Sequence, residues 1–485
     1  MTGDHLRHTG ARRKVLMITE GTYPYVIGGV STWCDLLIKG IDEVDWNILP
    51  ILAGDIDIDP KYLLPAHAGL LDALGLWSNQ PAPMGKRLGK LNTNLPGVLA
   101  EGLLGWNNPQ DRLIDALVSF RQCPETIRPI FKSPQSWASF LAGLEKALAT
   151  QPNEAGSPPP LEMRHAIELY HSLYWVARTA GTQTPASDLL HVTAAGWSAI
   201  PAVIDKEING TPFLLTEHGV YVREAYLGAV RAEFEPSKVF VNTRLARGFT
   251  RLAYGAADMV TPVTAANAWW EDAFGVAPER VRVINNGVRI PDEPPPPPRT
   301  RTVVSIGRLD PLKDIHTLLR VASEVLRHAP EAQFFHYGPT TDANMAYAQS
   351  CYALHKELGL GDRFRFMGAT RDPNGALLRA DMAILTSISE GFPMSVLEAM
   401  ALARPVVATA VGGVAEGLRG CGLVAPSRDV NGLAMAVLTL LKDPELGQTL
   451  GQRGRSRVMR RFTLDQCLAG YRDVMGSLSL KEKAS

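Results

Sequence analysis

At 485 residues with 46% hydrophobic content, the chain exceeds one ordinary core and is long enough for two α/β domains with an insertion. Its 49 Lys plus Arg offset 49 Asp plus Glu, which excludes a global field steering it to nucleic acid or anionic lipid, so any anion site has to be local. The five cysteines, Cys34, Cys123, Cys351, Cys421 and Cys467, are scattered, odd in number and in no Cys-x-x-Cys pair, which argues against a disulfide framework and a zinc site.

The basic start Arg12-Arg13-Lys14 precedes only Val15 to Ile18, an apolar run too short for a signal h-region or a membrane span. The expected compartment is the cytoplasm. Lys14 to Thr19 predicts a buried strand, and the turn formers from Glu20 to Gly29 predict a glycine loop. Val30, Trp33, Leu37, Ile38 and Ile41 then fall at helical spacing. Strand, glycine loop and helix together open a Rossmann-like domain. From about residue 60 to 185 the pattern turns to helices and proline-broken loops, read as an insertion. It includes the apolar stretch Leu70 to Trp77, read as a helix packed on the first lobe. Sheet-like segments resume at Leu189 to Thr193, Phe213 to Thr216, Met259 to Val263 and Val281 to Ile284.

Pro291 and Pro294 to Pro298 make residues 291–301 a stiff, solvated spacer and place the domain boundary there. The first domain is then 1–290 and the second 302–464. The second half repeats the α/β alternation, with strands expected at Thr302 to Ile306, Gln333 to Tyr337, Arg363 to Met367, Met382 to Thr386 and Val406 to Thr409. Ile315, Leu318, Leu319, Ala322 and Leu326 form one face of the helix after the first of these. Parallel sheets with helical crossovers follow.

The chemistry concentrates in Glu390-Gly391-Phe392-Pro393-Met394-Ser395-Val396-Leu397-Glu398, two glutamates eight apart across a strand-to-helix turn. The carboxyl ends of parallel strands face the ligand crevice, where carboxylates suit sugar hydroxyls and helix-start N–H groups suit phosphate. A structural reading competes: Ser395 and Glu398 fit a capping box. Arg308 and Lys313 lie on the loop after the Thr302 strand and supply counter-charge for a departing diphosphate, unless they merely pair with Asp310 and Asp314 in solvent. His218, at the end of another strand, is either a polar partner for a sugar hydroxyl or a structural loop residue. His191 lies inside a strand and is the weaker candidate. Asp55-Ile-Asp-Ile-Asp59 offers the Asp-x-Asp of metal-dependent transferases, but its alternation suits an edge segment, and Arg308 and Lys313 already provide the charge a metal would bring. Neither a Gly-x-Gly-x-x-Gly fingerprint nor a Gly-Lys-Ser P-loop is present, which weighs against a dehydrogenase or an NTPase.

These residues resemble glycosyltransferase family 4, whose retaining members carry a Glu-x7-Glu motif preceded by a Gly-Arg…Lys segment. Gly28-Gly29 and Asn286-Gly287-Val288 match the family's early glycine pair and its interdomain turn. The stretches Glu20 to Trp33 and Leu215 to Tyr221 are similar to those of the bacterial Pel exopolysaccharide glycosyltransferases. The resemblance implies a GT-B fold: two Rossmann-like domains facing across a cleft, a helical insertion in the first, and a final helix at about 465–485 returning to the first lobe. It implies a soluble retaining hexosyltransferase using a nucleotide sugar, a UDP-hexose or UDP-N-acetylhexosamine, with a glycan or lipid-linked acceptor. No metal and no further cofactor is expected. Arg308 and Lys313 would hold the diphosphate, Glu398 the ribose, and Glu390 the transferring sugar. Gly391, Phe392, Pro393, Met394 and Ser395 would line the donor. Gly28 and Gly29 would admit the phosphate or acceptor, backbone from Phe366 to Gly368 would meet the base, and His218 would be the active-site histidine. Membrane synthase subunits at the inner face of the membrane are the implied protein partners. The family's Gly-x-Gly-Pro turn appears as His336-Tyr337-Gly338-Pro339, lacking its first glycine. Two alternatives stay open: a nucleotide-sugar epimerase of the same fold, and a non-catalytic nucleotide-sugar-binding subunit of a membrane synthase.

Overall fold

The computed structural model describes residues 12–21, 23–54, 59–78, 91–106, 108–150, 159–231, 234–291, 300–341 and 344–482. The chain divides into two compact units. One comprises Met1–Glu217, Tyr221–Val260 and Arg472–Ser485; the other comprises His218–Val220 and Thr261–Tyr471. Residues 261–290 therefore count with the second unit, ahead of the proline-rich segment taken as the boundary. The reason is local bonding: Asn286 Nδ2 donates to the Phe392 carbonyl at 2.8 Å, and Val288 bridges to Thr463.

The first unit is built on a parallel sheet of β1 (Arg13–Glu20), β2 (Val44–Leu52), β3 (Ala68–Leu70), β4 (Leu74–Gly75), β5 (Leu189–Val192), β6 (Phe213–Glu217) and β7 (Met259–Pro262, counted with this unit through Val260). The order is β3-β2-β1-β5-β6-β7, with β4 also on β2. Val15 to Ile18 are wholly buried, as a strand covered on both faces requires. The Leu70 to Trp77 stretch, expected as a helix, instead supplies two short strands on the open edge of β2, with Leu70 opposite Ile48 and Leu74 opposite Ile51. Backbone groups on an exposed edge need partners, and this segment provides them. The rest of the insertion is helical, with long helices at Leu95–Leu104, Asp111–Gln122, Pro134–Ala149 and Met163–Ala180. The first and third of these cross so closely that a side chain on Gly143 would overlap the Gly97 carbonyl. Val281 to Ile284 forms no strand, although the Ile284 N–H donates to the Pro262 carbonyl at 3.1 Å.

The second unit carries a six-stranded parallel sheet of β8 (Thr302–Ile306), β9 (Gln333–Tyr337), β10 (Phe364–Gly368), β11 (Met382–Leu385), β12 (Val406–Thr409) and β13 (Leu423–Ala425), ordered β10-β9-β8-β11-β12-β13. Ile315, Leu318, Leu319 and Ala322 pack with Phe334 and Val407 in its core, while Leu326 is only partly covered. Both sheets reverse direction of growth beside their first strand, at β1/β5 and at β8/β11. Such switch points leave a crevice at the strand carboxyl ends, where loops can hold a ligand. The fold is GT-B. Its last helix, Leu464–Glu482, belongs to the second unit through Tyr471 and to the first from Arg472, where Arg472 Nε meets Glu43 Oε1 at 2.6 Å.

Candidate active site

At the second unit's switch point, the turn after β8 meets the turn after β11. Asp310 opens a short 3-10 turn, Pro311–Lys313, by accepting from the Leu312 N–H at 2.9 Å. Asp314, in the left-handed region at φ 48°, caps the Ile315–His328 helix through Thr317. These caps fix the direction of the lysine between them. Lys313 Nζ reaches Glu390 Oε1 at 2.6 Å, and Ser387 Oγ donates to the same oxygen at 2.5 Å. Glu390 is 9% exposed, so the lysine and the hydroxyl donate to a carboxylate largely withdrawn from solvent. Arg308 does pair with Asp310, at 3.3 Å, but Lys313 pairs with Glu390 and not with Asp314.

The glycines around Glu390 explain how its turn is packed. A side chain on Gly391 would overlap the His218 carbonyl, and one on Gly412 would overlap the Glu390 carbonyl. Gly412 also sits at φ 51°. Gly413 N–H donates to the Gly391 carbonyl at 2.8 Å. The Gly412-Gly413 pair and Ser387 were not singled out from the sequence, although a glycine pair two residues beyond a strand was a visible signal.

The helix after the turn, Met394–Ala401, starts from Pro393 with no side-chain cap, and Ser395 lies inside it. The capping box expected of Ser395 and Glu398 is therefore not formed. Glu398 is half-buried, and burial pushes its carboxyl up to about 7. Met394 and Phe392 are buried, and Phe392 packs edge-on to Phe462. Phe366 packs against Tyr352 and His355, and the pairing of β10 with β9 slips between Phe366 and Gly368. Gly368 has φ 72°, and its carbonyl accepts from Gly338 N–H at 2.8 Å. His336, where the resemblance implies a glycine, is buried against Ser305 at 3.2 Å and pushed down to about 4 by burial. Gly338, which remains, is required: a side chain there would overlap the Gly307 carbonyl.

His218 is grouped with the second unit, and burial pushes its imidazole down to about 3, so it is neutral near pH 7. Gly28 and Gly29 belong to the first unit, at the start of the Gly29–Gly40 helix. Neither has positive φ, and an added Cβ would meet nothing within 4 Å, so the fold itself does not demand glycine there. In the same unit Glu20, at the end of β1, accepts from Ser198 N–H at 3.1 Å and from the Tyr221 side chain. Gly196 is held under that pair, since a side chain would collide with the Tyr221 ring. His191 is buried in β5 against Thr216 at 2.9 Å and Trp33. Glu217 is likewise buried, bonded by Tyr254 at 2.6 Å and pushed up to about 7. Asp55 and Asp57 lie outside the described residues. Among those described, no three His, Cys, Asp or Glu are grouped to hold a metal, and no helix is long and apolar enough to cross a membrane.

Comparison with known proteins gives this arrangement a class. Residues 300–443, which hold Arg308, Lys313, Glu390 and Glu398, match the model of the glycosyl transferases group 1. Sucrose-phosphate synthase from Thermosynechococcus elongatus superposes with a TM-score of 0.62 at 20% identity, over 98% of this chain and 100% of that one. HepE from Anabaena, solved with UDP and glucose, gives 0.60 at 17% identity over 96% and 100%. D-inositol 3-phosphate glycosyltransferase from Salinispora arenicola is 27% identical over 373 residues, 71% of this chain and 73% of the relative. The chain is thus a glycosyltransferase of GT-B fold. It belongs to the family described as a domain of unknown function, DUF3492, whose model matches residues 13–279, more than half its length.

Proposed function

We propose that the chain is a retaining, metal-independent hexosyltransferase that moves the sugar of a UDP-hexose or UDP-N-acetylhexosamine to a glycan or lipid-linked acceptor in exopolysaccharide synthesis. The observation that carries the reading is the Lys313–Glu390 pair at the β8/β11 switch point. A lysine has three N–H donors, so the one given to Glu390 leaves two for diphosphate oxygens, beside the fork of Arg308. Ionised, Glu398 offers acceptor oxygens to the paired hydroxyls of a ribose. UDP is favoured by the Pel-like stretches Glu20 to Trp33 and Leu215 to Tyr221 and by the nucleotide bound to HepE. The same stretches favour exopolysaccharide synthesis beside membrane-bound synthase subunits on the cytoplasmic side.

In the reaction the acceptor oxygen bonds to the anomeric carbon on the face from which the diphosphate departs. The bond from that carbon to the diphosphate oxygen breaks, and this oxygen takes the acceptor's proton. Arg308 and Lys313 stabilise the charge that develops on the diphosphate, and Glu390 orients the sugar through its hydroxyls. Neutral His218 exchanges a hydrogen bond with a sugar hydroxyl without adding charge. Calorimetric titration with UDP-, GDP- and ADP-sugars tests the reading, followed by NMR of the product's anomeric configuration. Preferential UDP-sugar binding and a retained configuration support it; failure to bind any nucleotide sugar, or an inverted product, overturns it.

A further inference from the structure

A second polar recess, of about 880 Å³, lies in the second unit along the Pro444–Arg461 helix and shares no lining residue with the site above. Its helical wall is a single stripe: Glu445, Thr449, Arg453, Arg457 and Arg460 recur at four- and three-residue steps. The opposite wall is Arg419-Gly420-Cys421, turned by Gly420 at φ 74°. Four arginines thus face the recess against one carboxylate. Among the described residues, none of the four forms an ion pair with an acidic side chain. Arg457 is fixed in place, donating to the Glu416 carbonyl at 2.9 Å with its guanidinium 5.9 Å from the Phe462 ring centre. Its Nε is buried and has no hydrogen-bond partner.

Helix-end electrostatics account for only part of this pattern. Arg460 lies in the last turn and Glu445 in the first, where the helix dipole favours each sign. Arg453 stands two turns before the end and Arg419 is on another element, so the dipole explains neither. Four guanidiniums around one polar concavity repel each other unless an anion lies among them, and their forks match phosphate oxygens. The volume falls in the range of small-molecule sites.

We propose that this recess is a second anion site, taking a phosphate-bearing small molecule up to the size of a sugar phosphate or nucleotide. Pyrophosphate is the probe, titrated calorimetrically into the full chain. Arg453 and Arg460 are exposed, so Arg453→Ala/Arg460→Ala keeps the fold, which an unchanged Tm verifies. The expected result is two pyrophosphate sites in the wild type, one of them weakened at least tenfold by the Arg453→Ala/Arg460→Ala pair while UDP affinity holds. The Arg308→Ala/Lys313→Ala pair should leave the recess site intact, so loss of the donor reading alone does not affect this one. Pyrophosphate binding that is indifferent to Arg453 and Arg460 overturns the proposal. So does capture by phosphatidylglycerol vesicles that depends on those arginines without pyrophosphate binding, which would make the recess a membrane contact.

Discussion

Lys313 Nζ stands 2.6 Å from Glu390 Oε1 and ties the turn after β8 to the turn after β11. Lys313 and Arg308 have different duties in this geometry: one orients Glu390 and the other is 40% exposed beside Asp310. Arg308→Ala should weaken UDP binding by about 1.5 to 3 kcal/mol with little change in Tm. Lys313→Ala should lower both, because Glu390 then loses its lysine partner. Glu390→Gln should cost more turnover than donor affinity, since its partner is the sugar whose charge changes in the transition state. Calorimetry, thermal melts and single-turnover rates separate these effects; full turnover in Glu390→Gln would remove that residue from the site.

Glu398 forms no cap, so Glu398→Gln should leave Tm at neutral pH unchanged or raised while donor affinity falls. Its carboxyl, at about 7 in the fold against an ordinary 4.5, makes folding take up a proton between those values. Stability from this group is therefore greatest below that window and is lost as pH rises through 7. Melts from pH 4.5 to 8 should show a shallower decline in Glu398→Gln, with a residual slope from Glu217, whose value is shifted the same way. Donor affinity should instead rise with pH toward 8 in the wild type, as the ribose acceptor ionises, and lose that rise in the variant.

His218 is neutral down to about pH 3, so its protonation should leave no limb in the activity profile between pH 5 and 8. His218→Ala should lower turnover by about a hundredfold, the low end for loss of a positioned polar group, with donor binding retained. NMR of the imidazole through that pH range checks the first claim; a titration near 6.5 would show that the ring is not desolvated as described.

Two glycine substitutions should part company. Gly391→Ala meets the His218 carbonyl and should destabilise the fold by about 1 to 3 kcal/mol, as overpacking does. Gly28→Ala meets nothing in the protein, so its Tm should hold while substrate affinity drops. Equal melting losses in both would mean that Gly28 serves the fold.

Activity should survive EDTA, because Arg308 and Lys313 supply the counter-charge for the diphosphate. An absolute requirement for magnesium or manganese would bring Asp55 and Asp57 back as ligands.

The sequence by itself determined the α/β class, the repeated strand–loop–helix order and the position of the two glutamates. Those features are written in local periodicity and in glycine and proline placement, which act within a few residues. Even there, edge pairing was invisible: β2, with Pro50 inside it, and the short β3, β4 and β13 owe their strand character to a neighbour rather than to their own pattern. Only the tertiary structure decided which partner each charged group takes. The Ser395 and Glu398 spacing spelled a capping box, but Pro393 starts the helix and leaves Glu398 without that bond. Asp314 stood next to Lys313 in sequence, yet it caps a helix while Lys313 crosses to Glu390. Contacts between residues 77 positions apart are set by how two strand ends meet in a sheet, and no local pattern encodes that meeting.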